Sequence, residues 1–119
     1  MAQQAATHDR RIDYIELAAT DIEATKRFYQ SVFGWKFTDY GPDYTSFEDG
    51  RLNGGFYKAD AVKPGTVLVV IFAVDLEGMQ QRVTKAGGKI LKPIFSFPGG
   101  RRFHFGDPSG NELAVWSDR

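Results

Sequence analysis

Two periodicities alternate along this chain, and the switches between them mark its elements. Ile12 to Ala19 has strand character, and Ile22, Phe28, Tyr29, Val32 and Phe33 then fall on one helical face. Gly34 stands where a left-handed residue ends a helix. Three short strand-like runs follow: Trp35–Tyr40, Tyr44–Glu48 and Leu52–Tyr57, separated by Gly41-Pro42-Asp43 and Asp49-Gly50. Asp-Gly between two such runs is a hairpin signal.

The order then repeats. Thr66 to Val74 is apolar and strand-like, and Leu76, Met79, Val83 and Ala86 share a helical face that stops at Gly87-Gly88. Lys89–Phe97, Arg101–Gly106 and Glu112–Ser117 are again strand-like, with Pro98-Gly99-Gly100 and Asp107-Pro108-Ser109-Gly110-Asn111 between them. Asp21-Ile22-Glu23 recurs 54 positions later as Asp75-Leu76-Glu77, and a glycine lies 13 residues after each Asp, at Gly34 and Gly88. Lysine and an apolar residue follow both, in Lys36-Phe37 and Lys89-Ile90. Thr20 with Glu23 reads as a capping box, and Asp21 and Asp75 place negative charge at the positive helix ends.

The expectation is an α+β fold of two βαβββ modules, forming paired curved mixed sheets around a cleft. One domain over residues 1–119 is expected, with module one at about 11–57, a linker at about 58–65 and module two at about 66–117. A four-stranded sheet carrying one helix leaves its other face bare, so a second copy must cover it. A cleft between concave sheets is then the natural ligand site.

Composition narrows the partners. Fifteen Lys and Arg balance 15 Asp and Glu, so no long-range field recruits nucleic acid or an anionic membrane. Arg10-Arg11 and Arg101-Arg102 are the adjacent arginine pairs, the first reading as solvated. No cysteine is present, which excludes disulfides, thiolate nucleophiles and Cys-ligated metals. The polar stretch from Met1 to Arg11 does not read as a secretory signal. The most apolar run, Val67–Val74, is eight residues, against roughly 20 needed to span a bilayer. A cytoplasmic location is expected.

Four segments carry a family resemblance: Ile12-Asp13-Tyr14-Ile15-Glu16-Leu17, Asp21-Ile22-Glu23-Ala24 running to Phe28-Tyr29, Phe33-Gly34-Trp35, and Asp107-Pro108-Ser109-Gly110-Asn111. Together they resemble glyoxalase-like proteins of the vicinal oxygen chelate (glyoxalase/bleomycin-resistance/extradiol dioxygenase) superfamily, over essentially Arg11 to Trp116. The same segments resemble the bacterial group of predicted enzymes related to lactoylglutathione lyase. In metal-binding members, ligands come from the first and last strand of each half. By that resemblance the slots here hold Tyr14, Leu68 and Ala114, with the fourth near Gly54-Gly55, and none is a usual ligand.

The residue inventory agrees. A divalent metal takes three or four N, O or S donors, and this chain has two histidines, His8 in the polar tail and His104. No cofactor is expected, although weak Mn or Fe binding by a lone His among carboxylates stays open. The resemblance also implies a small-molecule ligand in the cleft and a homodimer, with the cleft either within one chain or shared.

Candidate chemistry rests on strand alternation, which puts Tyr14, Glu16 and Ala18 on one face. The resemblance implies that this face lines the cleft. Glu16 is then a carboxylate in a largely apolar barrel, able to act as a general acid or base or to pair structurally with an Arg across the sheet. Arg102 and His104 share a face, which the resemblance turns inward. His104 can move a proton, and Arg102 can hold an anionic group or neutralise Glu16. Trp116, Tyr44 and Ser46 complete the expected substrate-binding wall. Phe47, Phe56, Phe95 and Phe97 read as core. Gly54-Gly55 and Gly99-Gly100 read as hairpin or bulge glycines, the latter pair as a flap at the cleft mouth.

Three functions follow as readings. One is a lyase- or isomerase-type enzyme using Glu16 or His104 without the usual metal. Another is a non-catalytic small-molecule or antibiotic binding protein of the bleomycin-resistance type. The third, a structural module without a ligand site, is disfavoured by the inward polar set of Tyr14, Glu16, Arg102 and His104.

Overall fold

The computed structural model describes residues 9–10, 12–65 and 67–119. Two four-stranded mixed sheets each carry one helix. In the first half these are β1 (Tyr14–Ala19), α1 (Ile22–Phe33), β2 (Lys36–Asp39), β3 (Tyr44–Glu48) and β4 (Asn53–Lys58). In the second they are β5 (Val69–Phe72), α2 (Leu76–Lys85), β6 (Lys89–Phe97), β7 (Gly100–Gly106) and β8 (Glu112–Ser117). The strand orders are β1-β4-β3-β2 and β5-β8-β7-β6, and β1–β4 and β5–β8 are the parallel pairs. This is the duplicated βαβββ order that the repeat predicts, in the glyoxalase-like arrangement that the resemblance implies. Thr66, at the predicted start of β5, and His8 lie outside the described residues.

Both helices start on aspartate. The Asp21 carboxylate accepts the Ala24 N–H at 3.0 Å, and Asp75 accepts that of Gly78 at 3.0 Å. Asp21 is therefore the cap, and the predicted Thr20 capping box does not form. The Thr20 N–H is spent elsewhere, on the Ser109 hydroxyl. Gly34 ends α1 at φ 73, where a side chain would strain the backbone.

Apolar faces of both halves meet in one core. Tyr29 and Phe28 of α1 are almost fully buried; Tyr29 stacks on Trp35 at 4.6 Å, and Trp35 stacks on Phe47 at 4.5 Å. Phe28 also reaches Phe105 of the second sheet, at 5.9 Å. Phe47 and Phe56 are core as expected. Gly54 makes this packing possible: a Cβ there would overlap the Ile15 carbonyl and the Phe47 ring. Gly54 and Gly55 thus stand inside β4, where neighbours approach closely, and not in a hairpin turn. Phe95 and Phe97, by contrast, lie outside the core: Ile90 and Ile94 of β6 pack on it, and alternation turns Phe95 and Phe97 to the opposite face.

One buried carboxylate joins the halves. Asp107 accepts from the Ser109 N–H and Asn111 N–H at 2.9 Å, and from the Asn111 amide and Tyr29 hydroxyl at 3.0 Å. Asn111 also donates to the Ala18 carbonyl of β1 at 2.6 Å. Burial pushes the Asp107 carboxyl above its ordinary range, and all four donors pull against that rise. Replacing Asp107 with Asn turns an acceptor into a donor facing Asn111 and Tyr29. Asp107→Asn should therefore lower the unfolding free energy by about 2–3 kcal/mol and Tyr29→Phe by about 1 kcal/mol. Urea unfolding measures both, and an unchanged midpoint for Asp107→Asn contradicts this account.

Candidate functional site

The face of each sheet turned away from the helices carries the polar chemistry. On the first sheet, β1, β4 and β3 place Glu16, Gly55 and Ser46 in one lateral row. Gly55 has no side chain, and the Tyr14 and Tyr44 hydroxyls meet over it. Tyr44 donates to the Glu16 carboxylate at 2.9 Å, so Tyr14 donates to Tyr44. Ser46 is turned to the Thr38 carbonyl at 3.4 Å. Glu16 is exposed, with Tyr44 as its partner, whereas the sequence placed it in an apolar barrel. A single sheet leaves that face open to water.

The second sheet carries the other predicted residues. Phe72, Trp116, Arg102 and Phe95 form one lateral row across β5, β8, β7 and β6. Val70, Ala114, His104 and Lys92 form the next. The adjacent arginines face opposite ways. Arg101 pairs with Glu77 of α2 at 2.6 Å, while the Arg102 guanidinium lies over Phe95 at 5.4 Å and Phe97 at 5.6 Å. Arg102 Nε is buried without a hydrogen-bond partner. No ion pair links Arg102 to Glu16 among the described residues.

His104 is 4% exposed, and its Nδ1 lies 2.8 Å from Glu112 Oε2. A carboxylate only accepts, so Nδ1 carries the hydrogen, and in the neutral imidazole Nε2 is a bare acceptor. That Nε2 is buried without a partner. Glu112 was missed from sequence because its contact is diagonal: β7–β8 register sets His104 opposite Ala114, two residues on. Its parity with Ala114 and Trp116 was the available signal.

Tyr14, Glu16, Tyr44 and Ser46 thus gather on one sheet, and Arg102, His104 and Trp116 on the other. No hydrogen bond joins these two groups among the described residues. A groove of about 430 Å³ under the linker is lined by both Glu16 and Glu112. A larger one, about 1550 Å³, opens on the helix side between Ile15, Leu17, Ile71 and Met79. It holds Trp116 alone of the predicted residues. Its polar walls include Asp49, Arg51, Asn53 and Arg82 but, among the described residues, no buried side-chain atom left without a partner, so size alone does not make it the site.

Register also resolves the fourth metal slot. Gly55 lies opposite Glu16 as Ala114 lies opposite Val70, so Gly55 and Ala114 are equivalent. Tyr14, Leu68, Gly55 and Ala114 then supply one phenol, already hydrogen-bonded, and neither imidazole nor carboxylate. These positions do not fit a divalent metal. Among the described residues no group of three or more His, Cys, Asp or Glu could hold one.

The paired βαβββ halves and their open concave faces define a glyoxalase-like protein. A profile of the Glyoxalase/Bleomycin resistance protein/Dioxygenase superfamily matches residues 11–115, and the chain belongs to that superfamily. It is 30% identical over 118 residues to the putative glyoxylase CFP32 of Mycobacterium bovis, covering 87% of this chain and 44% of that one. It is 31% identical over 124 residues to the anthracycline biosynthesis protein DauV of Streptomyces sp. strain C5, covering 87% and 45%. The chain spans less than half the length of these relatives. A crystal structure of a glyoxalase/bleomycin resistance protein/dioxygenase family enzyme from Burkholderia phytofirmans superposes with a TM-score of 0.80 at 17% identity, covering 91% of this chain and 100% of that one. No helix among the described residues is long and apolar enough to cross a membrane.

Two measurements check the geometry. Burial, then the hydrogen bonds to Tyr14 and Glu16, push the Tyr44 phenol above its ordinary value of 10.0. The folded chain therefore holds that proton longer than the unfolded one. The contribution is whole below pH 10.0 and is lost as pH rises past it. Tyr44→Phe should flatten the fall in urea midpoint above that pH; an unchanged slope removes the Tyr44 contact. Ring-nitrogen NMR should also find neutral His104 as the Nδ1–H tautomer, with that preference weakened in Glu112→Gln.

Proposed function

We propose that the protein binds a small organic molecule on the concave face of the second sheet, and that His104, oriented by Glu112, moves a proton on it. The carrying observation is the buried, unpartnered His104 Nε2 beside the hydrogen-bonded Nδ1. A carboxylate that fixes the tautomer and steadies the imidazolium is what a general base needs. In this reading Nε2 takes a proton from the substrate and returns it at another atom or to a leaving group, a lyase- or isomerase-type reaction. Arg102 holds substrate charge, and Trp116 supplies a stacking wall. Proton transfer routes through His104 without a metal, since the equivalent slots lack donors. Glu16 acts in the same cleft when the first sheet's face closes over the ligand, with Tyr14, Tyr44 and Ser46 beside it.

Closure calls for a second copy. Val70 at 43% and Phe72 at 48% are exposed on this sheet, which leaves an apolar face uncovered. Relatives of more than twice this length are consistent with a paired arrangement. We place the homodimer, its small-molecule ligand and a cytoplasmic location within this proposal. The competing reading, a binding protein without chemistry, draws on Arg102 held between two phenylalanine rings, which serves capture as well as catalysis.

A thermal-shift and turnover screen of small carboxylates, aldehydes and aromatic metabolites tests the proposal. The stabilising ligand should keep its effect in the presence of a chelator. His104→Ala should slow turnover by at least about 100-fold. Binding that survives in His104→Ala with no turnover in either protein supports the binding-only reading. One equivalent of tightly bound metal in untagged protein, required for activity, overturns the metal-free mechanism.

A further inference from the structure

Arg102 Nε and His104 Nε2 are the two buried side-chain nitrogens without a hydrogen-bond partner among the described residues. They are of opposite kind. Nε of a guanidinium only donates, whereas Nε2 of neutral His104, with Nδ1–H committed to Glu112, only accepts. Both project from β7 on the same face, two residues apart, which sets their Cα atoms about 6.6 Å apart. Folding has stripped both groups of water and given neither a protein partner, a cost that a ligand can recover.

We infer that the ligand is an aromatic hydroxy acid whose acid group and hydroxyl are set apart on the ring, meta or para to each other. This rests on the second sheet's face being the ligand site. The acid group accepts from Arg102, whose guanidinium has no ion-pair partner among the described residues. The hydroxyl donates to His104 Nε2. The ring lies along Trp116 and over Ala114, whose small side chain, level with His104, leaves room that a larger residue would fill. Phe72, 5.3 Å from Trp116, extends the aromatic wall.

A neutral phenol leaves the guanidinium unpaired, and a simple benzoate leaves Nε2 unpaired. An ortho hydroxyl closes on its own carboxylate and is not free for Nε2, whereas a meta or para hydroxyl is free to donate and spans neighbouring same-face positions of one strand. Phe95 is the piece that must turn aside. Its ring is 5.8 Å from the imidazole and 5.4 Å from the guanidinium carbon, and it follows the register shift in β6, where the strand is least tied to β7.

The test is titration of the full chain with salicylate, meta-hydroxybenzoate, para-hydroxybenzoate, benzoate and phenol, followed by calorimetry and by the ring resonances of His104 and Trp116. Meta- or para-hydroxybenzoate should bind at least about tenfold more tightly than benzoate, phenol and salicylate. His104→Phe should bring the hydroxy acids to within about twofold of benzoate, and Arg102→Gln should bring the acids level with phenol. Should His104→Phe fold poorly, Glu112→Gln, which keeps the ring but releases its tautomer, should narrow the hydroxyl preference. If all five probes shift Trp116 and His104 with equal affinity, the ligand class is wrong while the site stands. If no probe moves either residue and another compound binds elsewhere, the site reading itself falls.

Discussion

A buried carboxylate must be met by donors or it cannot stay buried, and Asp107 is met from both halves of the chain at once. Two backbone N–H groups of its own turn and the Asn111 amide hold it from one side; the Tyr29 hydroxyl holds it from α1. Asn111 then reaches the Ala18 carbonyl, and Ser109 receives the Thr20 N–H. The β7–β8 turn is thereby docked on β1 and the start of α1. Losing one donor leaves charge uncompensated, so the relative placement of the two halves is narrowly set. The aromatic core from Phe47 through Trp35 and Tyr29 to Phe56 closes around the same hydroxyl-bearing ring.

On that common frame the two concave faces have diverged. Equivalent positions hold Glu16 and Val70, Gly55 and Ala114, Tyr14 and Leu68. The first face closes a phenol–phenol–carboxylate chain over a glycine. The second sets a guanidinium between phenylalanine rings and an imidazole against a carboxylate. Backbone register is retained while the donor set that a metal requires is absent from the equivalent slots. What remains is polar chemistry suited to an anion and a proton.

Much of this was legible in sequence, for identifiable reasons. The repeat of Asp21-Ile22-Glu23 as Asp75-Leu76-Glu77 recorded both helix starts, because a side-chain cap needs aspartate at one position. Alternation gave the face of Tyr14, Glu16, Arg102 and His104, since a strand permits two choices. It could not say whether a face is covered, which is why Glu16 was expected in an apolar barrel and stands exposed. Nor could it give partners across strands: Glu112 meets His104 through β7–β8 register. Phe95 and Phe97 read as core from residue type alone, whereas the strand turns them to the face opposite the core-packed Ile90 and Ile94. Thr20 was read as a cap because its spacing to Glu23 fits one, yet Asp21 is nearer the helix and accepts better.

The central claim is that ligand meets the protein at Arg102 and His104, on the sheet face opposite the helices. Backbone and side-chain NMR of the full chain, recorded with and without a ligand that stabilises it, tests this most directly. The account predicts the largest shifts at Arg102, His104, Glu112 and Trp116. Shifts centred instead on Ile15, Leu17, Ile71 and Met79, in the larger helix-side groove, would contradict it.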